Sequence, residues 1–352
     1  KARELYRQVL ALDISGTDID DFGKTYFTTH HRGRRLVFSI ESSADILYQS
    51  IRLMDKEVKD ISFIDYGAGL GTLFLLAGKL GFRKTYFNDY FPQWANYARI
   101  ICEKLNIHLD GCIAGDIAAV IEFGKTNHTD FDIVASRNVI EHIYDLGDFY
   151  TRLSQAGLTR VCFSTTTANP HNIAIRWKHY WFHKKVERTQ FRQQRAAYIR
   201  ELDPAVSEAS LPTLVEITRG RAFADFTEAV RNFMATKPVA PVPNLGTNTC
   251  DCHTGVWAEH LVTRQTYKDI IQQAGWEFAY TAGFWDRHYK YAALNMLTGI
   301  FNSLVNMLGK KGYWLSPFVN VVAIKRDAVL LERDGVFLLI PRGREVVIKI
   351  TL

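Results

Sequence analysis

A glycine-rich turn between a short apolar run and a helical segment constrains the fold of this chain most strongly. Residues 61–65 read Ile-Ser-Phe-Ile-Asp and favour a strand, and alternate glycines follow at Gly67, Gly69 and Gly71. Glycine lets the backbone turn tightly and approach a ligand without a Cβ in the way. The helix that resumes at Thr72 presents free N–H groups at its start. The pattern predicts a ligand-binding loop between a buried strand and a helix.

Short β-favouring runs alternate with helical segments after this turn. Such runs occur at residues 85–89, before 115, at 131–135, at 160–165, at 276–284 and at 318–325. This alternation indicates a parallel sheet covered on both faces, and short, almost wholly apolar runs fit strands buried on both sides. We predict an α/β fold: a Rossmann-like, seven-stranded, mostly parallel sheet with helices on both faces, an inserted α-helical cap and a small C-terminal β appendage.

The same pattern of strand-like and helical runs divides the 352-residue chain into five segments. The alternation stops after Asn169-Pro170 for about ninety residues, which we interpret as a lid inserted into the core. The length and ordinary globular composition suit one large domain with such a cap. The predicted segments are an N-terminal helical segment (1–58), a ligand-binding core (59–169), a basic helical lid (170–250), the completion of the core sheet (251–326) and a β appendage (327–352).

Three further elements follow the glycine turn in order. Asp89 ends the second strand, 22 residues after Gly67, and Gly115-Asp116-Ile117 follows a weaker third strand. The fourth element, residues 131–143, reads Phe-Asp-Ile-Val-Ala-Ser-Arg-Asn-Val-Ile-Glu-His-Ile. A glycine turn followed by an acid also fits a dinucleotide site. The glycine turn and the acid therefore do not by themselves exclude a dinucleotide site. The third and fourth elements make a nicotinamide dehydrogenase a poor alternative.

Together the four elements resemble the motifs of class I S-adenosylmethionine-dependent methyltransferases, over about residues 60–165 and 255–325. The resemblance implies S-adenosyl-L-methionine as cofactor and S-adenosyl-L-homocysteine as product. It implies that Asp89 binds the ribose hydroxyls, that Asp116 accepts from the adenine amino group, and that the strand ending at Arg137 passes beneath the methionine moiety. Arg137 itself departs from the family, which often has a small or acidic residue there. The residues expected to bind the cofactor are Asp65, Gly67, Ala68, Gly69, Gly71, Asp89, Tyr90, Asp116, Ile117, Arg137 and Asn138.

The chemistry required of such a site is modest, because the sulfonium is already a strong methyl donor. The protein must mainly align an acceptor and exclude water, and an oxygen acceptor of high pKa also needs a base. His142 is the first catalytic candidate, since the resemblance places its helix start near the methyl group, and His260 is the second. Shaping the pocket is the alternative for His142, and helix capping is the alternative for His260 and Glu259. Residues expected to bind the acceptor are Glu259, His253 and Trp257.

The cysteines indicate neither a disulfide framework nor a metal site. Cys250-Asp251-Cys252-His253 has suitable residue types, but a closed structural zinc site needs four ligands and no second pair stands at zinc spacing. We expect no metal. Cys102, Cys112 and Cys162 lie in apolar stretches and are interpreted as free thiols, which suits a reducing cytoplasm. No apolar run reaches the roughly 18 to 20 residues that cross a bilayer, and a cytoplasmic location is expected.

Positive charge is concentrated in the lid. Residues 171–200 hold eight cations and one acid, a net charge of +7 against +6 for the whole chain. Aromatic residues lie between these cations. The combination fits a nucleic-acid-binding surface, or a helix with a buried aromatic face and solvated cations. It also fits contact with an anionic lipid or with a pyrophosphate-bearing substrate. A second helix, 289–308, is apolar and precedes Lys310 and Lys311. Packing over the sheet is the favoured interpretation of it, ahead of membrane contact. The eight cations are Arg176, Lys178, Lys184, Lys185, Arg188, Arg192, Arg195 and Arg200.

We predict a methyltransferase acting on an oxygen of a small molecule or sugar. We include a sugar as acceptor because the chain has a general resemblance to methyltransferases of surface-polysaccharide and secondary metabolism. One alternative is an RNA or protein methyltransferase that docks through the basic lid. Against base N-methylation, residues 136–139 read Ser-Arg-Asn-Val, not an Asn-Pro-Pro-Tyr-type tetrapeptide. The other alternative is a non-catalytic partner subunit that keeps the cofactor fold, and a homo-oligomer stays open.

Overall fold

A seven-stranded sheet organises the computed structural model, which describes residues 1–31, 34–239, 247–325, 328–333 and 336–341. The strands lie in the order β3-β2-β1-β4-β5-β7-β6. The pairs from β3 to β5 are parallel, and β7 runs antiparallel to both β5 and β6. The predicted fold class is confirmed. The strands are β1 Ser62–Asp65, β2 Lys84–Asp89, β3 Gly111–Ala114, β4 Ile133–Arg137, β5 Val161–Thr166, β6 Trp276–Ala282 and β7 Val319–Lys325.

Helices cover both faces of this sheet and build the cap. The described α-helices are α1 Ala2–Ala11, α2 Asp21–His31, α3 Arg34–Arg52, α4 Leu73–Ala77, α5 Pro92–Leu105, α6 Ile117–Thr126, α7 Leu146–Ala156, α8 Ile173–Val186, α9 Arg192–Leu202, α10 Leu211–Ile217, α11 Phe223–Met234, α12 Arg264–Gln273 and α13 Ala292–Met307. Short 3₁₀ turns lie at Val58–Asp60, Ile140–His142 and Gly309–Trp314, and a π-helical turn at Glu187–Phe191 joins α8 to α9. Two strands, β8 Ala328–Arg333 and β9 Val336–Pro341, pair antiparallel in the predicted appendage.

The central strands are buried along almost their whole length because both of their faces are covered. Successive side chains of a strand point to opposite faces, so Phe63 and Ile64 of β1 belong to different apolar clusters. Phe63 packs in the cluster that includes α4, α5 and the N-terminal helices. Ile64 packs in the cluster that includes α7 and α12.

The N-terminal helices are tied directly to the loop that follows β1. The hydroxyls of Ser39 and Ser43 on α3 each lie 2.8 Å from the hydroxyl of Thr72, the residue that precedes α4. All three side chains are buried. These contacts bring α2 and α3 to the carboxyl ends of the parallel strands, where ligands bind in sheets of this kind.

The cap, α8 to α11, has an apolar cluster of its own that includes Ile199, Leu214 and Phe226. Arg195, one of the eight predicted lid cations, is completely buried there. It pairs with Glu187 and donates from Nε to the Val215 carbonyl at 3.1 Å. This buried pair is structural, so it removes one cation from the basic surface.

One expectation about the C-terminal half is wrong. The apolar helix predicted over 289–308 is present as α13, but its apolar side chains are mostly exposed and do not cover the sheet. Among the described residues, no helix has the length and apolar character needed to span a bilayer.

Candidate active site

The glycine turn lies at the carboxyl end of β1 and needs its glycines for two separate reasons. Gly67 and Gly69 have φ of +66° and +52°, a left-handed backbone that glycine adopts readily. A Cβ on Gly67 would also lie 2.6 Å from Cγ1 of Val139, and one on Gly71 would lie 2.9 Å from the Ala68 carbonyl oxygen. The loop therefore follows its path only without side chains at these positions.

The close packing around Gly67 should make an alanine substitution there more destabilising than one at a glycine with free space around it. Gly67→Ala should lower the free energy of unfolding by about 3 kcal/mol, because strain and a clash with Val139 add. Gly81→Ala is the matched control: Gly81 also has positive φ (+85°), but a Cβ there meets nothing within 4 Å. We expect it to cost about 1 kcal/mol. Chemical denaturation measures both, and equal losses would contradict the proposed close packing of the loop.

The end of β2 holds three loops together through two adjacent side chains. Asp89 accepts from the Gly69 N–H at 2.8 Å and from the Phe91 N–H at 3.1 Å. Asn88 donates from Nδ2 to the carbonyls of Ile113 and Gly115, at 3.1 and 3.0 Å. Sequence analysis missed Asn88, whose only signal is its place beside Asp89. Because both residues are buried, they fix the loops after β1 and β3 relative to β2.

A buried acid and a half-buried arginine lie beneath the glycine loop. Asp65 Oδ2 accepts from the Phe74 N–H at 2.9 Å, while Oδ1 has no hydrogen-bond partner. Burial raises the pKa of Asp65 to about 8, against a lowering effect of that N–H and of the Arg137 charge. The Arg137 Nη1 donates to the Ser39 carbonyl and hydroxyl and to the Ser42 hydroxyl, at 3.1, 2.7 and 3.1 Å. Arg137 is thus oriented by α3, an element outside the sequence motifs.

A cluster of ionisable residues lies at the end of β4 and β5. Nδ1 of His142 is 2.8 Å from the Trp257 carbonyl oxygen, so it must carry the proton that it donates. In the neutral ring, the lone pair is therefore on Nε2. Glu141 is completely buried; its Oε1 accepts from the Thr167 N–H at 3.2 Å and its Oε2 has no partner. Burial raises the pKa of Glu141 to about 7.

Glu259 completes this cluster and connects it to the cap. Its Oε2 accepts from the Thr167 hydroxyl at 3.1 Å and lies 3.5 Å from Nε2 of His179 on α8. Burial raises the pKa of Glu259, but the His179 hydrogen bond and the charges of His142 and His179 outweigh it and hold the pKa below its ordinary value. Glu259 has φ +58°, and its carbonyl accepts from Nε2 of His183 at 3.0 Å. Two cap histidines therefore hold Glu259, His179 through its carboxylate and His183 through its backbone carbonyl.

This cluster also has the residue types of a cation site. Ligand atoms of Glu141, His142 and Glu259 all lie within 4.8 Å of one another, the one such group found among the described residues. Cys250 and Cys252, which sequence analysis weighed as metal ligands, are buried thiols, and burial raises the pKa of Cys252 to about 11. Raised thiol pKa values oppose the thiolate form that binds metals.

The glycine loop and the ionisable cluster open into one cavity of about 760 Å³. Among the predicted residues, its lining includes Asp65, Gly67, Ala68, Gly69, Gly71, Arg137, Asn138, His142 and Glu259. Helices α2 and α3 contribute the other wall, with Tyr26 and His31 among their residues. Burial lowers the pKa of His31 to about 3. Sequence analysis placed these residues in an N-terminal helical segment and did not assign them to the site.

The remaining predicted residues lie outside this cavity. Asp89, Tyr90, Asp116 and Ile117 follow β2 and β3, on the side of the glycine loop away from His142. Asp116 caps α6, accepting from the N–H groups of Ala118 and Ala119 at 3.0 and 3.2 Å.

Of the predicted acceptor-side residues, Glu259 lines the cavity, whereas His253, Trp257 and His260 are not part of its lining. His260 is half-buried and stacks on the Trp257 ring, with 4.0 Å between the ring centroids. Trp257 reaches the cluster through its backbone carbonyl, which orients His142. His253 lies 4.5 Å from the Tyr198 ring, against the cap.

Helix α8 presents aromatics and cations together on the surface. Trp177 and Trp181 are more than half exposed, and Lys184 lies 4.4 Å from the centre of the Tyr180 ring. A buried aromatic face with solvated cations opposite is therefore not the arrangement of α8. Seven of the eight predicted cations are exposed, and one of the seven, Arg200, pairs with Glu208. None of the other six lies within 4 Å of a described carboxylate; they are Arg176, Lys178, Lys184, Lys185, Arg188 and Arg192.

Three solved structures illustrate what this chain is similar to. They are magnesium protoporphyrin IX methyltransferase from Synechocystis PCC 6803, geranyl diphosphate C-methyltransferase from Streptomyces coelicolor A3(2), and an S-adenosylmethionine-dependent methyltransferase from Mesorhizobium loti. Their identities are 9%, 13% and 13%, and their TM-scores 0.41, 0.38 and 0.37. The matches cover 87%, 91% and 80% of this chain and 96%, 86% and 98% of theirs. The first two contain S-adenosylhomocysteine.

The sheet and the loop after β1 are arranged as the sequence resemblance implies. The chain has the Rossmann-like, seven-stranded sheet that this resemblance implies. No protein-family model matches the sequence, and no curated protein matches it. The acceptors in the titles of the solved structures belong to those proteins, and the acceptor of this chain is argued from its own residues.

Proposed function

We propose that this protein transfers a methyl group from S-adenosylmethionine to a hydroxyl oxygen of a small molecule or sugar. The observation that carries the proposal is the shared cavity, in which a glycine loop at the end of β1 faces an ionisable cluster around His142. The loop suits the cofactor, and the cluster suits an acceptor that must lose a proton.

Residues around the loop fit the two ends of the cofactor, its methionine carboxylate and its adenosine. Arg137 lines the cavity and offers guanidinium donors beyond the Nη1 that Ser39 and Ser42 bind, which suits the methionine carboxylate. Asp89, which lies beside Gly69 and outside the cavity lining, suits the ribose hydroxyls, and the loop after β3 at Asp116 suits the adenine. When bound, S-adenosylmethionine supplies an electrophilic methyl group on a sulfonium.

The cluster supplies a base for the acceptor hydroxyl. His142 Nε2 is the lone-pair nitrogen of the neutral ring, since Nδ1 donates to the Trp257 carbonyl. As the acceptor oxygen forms its bond to the methyl carbon, His142 Nε2 takes the hydroxyl proton, and the electron pair of the broken C–S bond returns to sulfur. Glu259 stabilises the resulting imidazolium by its charge, and it is itself kept ionised by His179.

The exposed surface of α8 favours an anionic group near the entrance of the site. His179 and His183 of α8 contact Glu259, so the exposed cations of this helix stand on the element that forms part of the acceptor end. An RNA acceptor uses the same charges and is the second candidate. Its binding would fall steeply with salt, and absent or salt-insensitive RNA binding would remove it.

Calorimetric titration tests the cofactor before any acceptor is known. S-adenosylmethionine and S-adenosylhomocysteine should bind with micromolar Kd (~8 kcal/mol of binding free energy) and NAD should not bind. Acceptors are then screened by release of S-adenosylhomocysteine. Absence of binding by either sulfur ligand would contradict the proposal and favour the non-catalytic alternative.

A further inference from the structure

Helix α13 turns several of its polar side chains towards the protein, beside the buried Val305. Asn302 accepts from the Trp285 N–H at 2.7 Å and donates to the Trp285 carbonyl at 3.0 Å. Asn295 makes the same pair of bonds to Tyr289, at 2.7 and 2.9 Å. Thr298 is buried on this side as well. A soluble surface helix usually does the reverse, with the apolar stripe towards the core.

The opposite side of α13 is an exposed apolar stripe. Met296, Ile300 and Met307 are 67%, 51% and 75% exposed, and Leu297 is exposed beside them. At 3.6 residues per turn these side chains share one side of the helix. Exposed apolar residues that stand singly are ordinary, but a contiguous stripe marks an interaction surface.

The charged residues that flank α13 are cations from Arg287 onward, although Asp286 stands just before them and Glu41 of α3 pairs with His288. Residues 287–325 contain five Lys or Arg residues and no Asp or Glu. The α13 helix itself is uncharged, Arg287 and Lys290 precede it, and Lys310 and Lys311 follow it. The four flanking cations are exposed, as is Trp314 just beyond them.

Helix α8 extends this surface. Its N-cap residue Asn172 donates from Nδ2 to the Ser316 carbonyl at 3.0 Å, which ties the start of α8 to the segment after α13. The exposed side chains nearest that end are Ile173, 82% exposed, and Trp177. The exposed cations of α8 follow, so apolar side chains and unopposed positive charge again occur together.

We propose that α13, with the start of α8, docks on the surface of an anionic lipid bilayer without crossing it. An apolar helix face, flanking Lys and Arg, and exposed Trp at the edge are the features of a helix lying in the bilayer interface. Anionic headgroups complement the flanking cations. A second copy of this chain fits less well, since pairing two such faces would bring unopposed cations together. The proposal depends on this surface and not on the proposed methyl transfer.

Docking in this way would place the cavity at the membrane. Asp286 lines the cavity, and the neighbouring Trp285 is held by Asn302 of α13. The acceptor class that this geometry favours is an amphiphilic hydroxyl compound delivered from the bilayer surface.

Vesicle cosedimentation of the full chain tests the surface. Wild-type protein should bind vesicles of phosphatidylcholine with phosphatidylglycerol, bind pure phosphatidylcholine more weakly, and lose affinity as salt rises. Ile300→Asp should lower the affinity at least about tenfold, because burying an isoleucine contributes that much. Asn306→Asp is the matched control: it adds the same charge to the same helix, at an exposed position away from the stripe.

Two outcomes would overturn the proposal. One is equal vesicle binding by Ile300→Asp and Asn306→Asp. The other is failure of the wild type to bind either vesicle; a dimer in light scattering that Ile300→Asp dissociates would then assign the stripe to a second copy. Thermal unfolding of both variants should match the wild type, since both positions are exposed.

Discussion

His142→Gln should lower kcat by about 10²- to 10⁴-fold with a hydroxyl acceptor, while S-adenosylmethionine binding stays near the wild-type value. Glutamine can keep the hydrogen bond to the Trp257 carbonyl that His142 Nδ1 makes at 2.8 Å. It cannot take a proton, so the variant separates proton transfer from the shape of the pocket. Single-turnover methylation with an acceptor found in the screen measures the rate, and calorimetry measures cofactor affinity.

His260→Phe is the matched control for this experiment, because His260 is the other candidate base. Its ring is buried against Trp257 and burial lowers its pKa to about 4. Phenylalanine keeps the stacking, and His260 lies outside the cavity lining, so kcat should change less than about threefold. A full loss of activity in His260→Phe with an active His142→Gln would reverse the assignment of the base.

Asp89→Ala should weaken S-adenosylmethionine binding about a hundredfold or more. A carboxylate that hydrogen-bonds two ribose hydroxyls contributes about 1.5–3 kcal/mol for each bond, and the variant also frees the Gly69 N–H that Asp89 holds at 2.8 Å. Loss of both effects moves the loop and removes the ribose contact. Titration calorimetry with S-adenosylhomocysteine gives the same comparison without turnover.

Asp110→Ala provides the control for loss of a backbone acceptor alone. Asp110 Oδ2 accepts from the Thr85 N–H at 2.8 Å, at the start of β2 and away from the glycine loop. This variant should lose some stability and keep its cofactor affinity. If Asp89→Ala bound the cofactor as tightly as Asp110→Ala, the ribose assignment would be wrong.

The parts of the fold that the sequence predicts are those governed by local rules. The glycine turn, the acid that ends β2 and the alternation of strands and helices each depend on residues within a few positions of one another. Positive φ at Gly67 and apolar burial on both sides of β1 are consequences of such patterns. For the same reason the seven-stranded sheet follows from the sequence.

The other wall of the site depends on contacts that no local pattern contains. Arg137 is oriented by Ser39 and Ser42, nearly a hundred residues earlier. Glu141 and Glu259 meet because Thr167 donates to both carboxylates and because the His260 N–H donates to the Glu141 carbonyl at 2.9 Å. The expectation that α13 covers the sheet was wrong because a periodic apolar stripe predicts only that one face of a helix is apolar. The stripe does not indicate whether that face contacts protein or another medium.

The backbone of Glu259 links the cap to the chemistry thermodynamically. A glutamate in the left-handed region is held at a cost of about 1–3 kcal/mol, and here two histidines of α8 offset it through contacts to its carbonyl and carboxylate. Any ligand that shifts α8 must therefore change the population of the competent carboxylate. By reciprocity, occupation of the acceptor site changes the affinity of α8 for that ligand by the same factor. The position of α8 and the conformation of Glu259 are thus coupled.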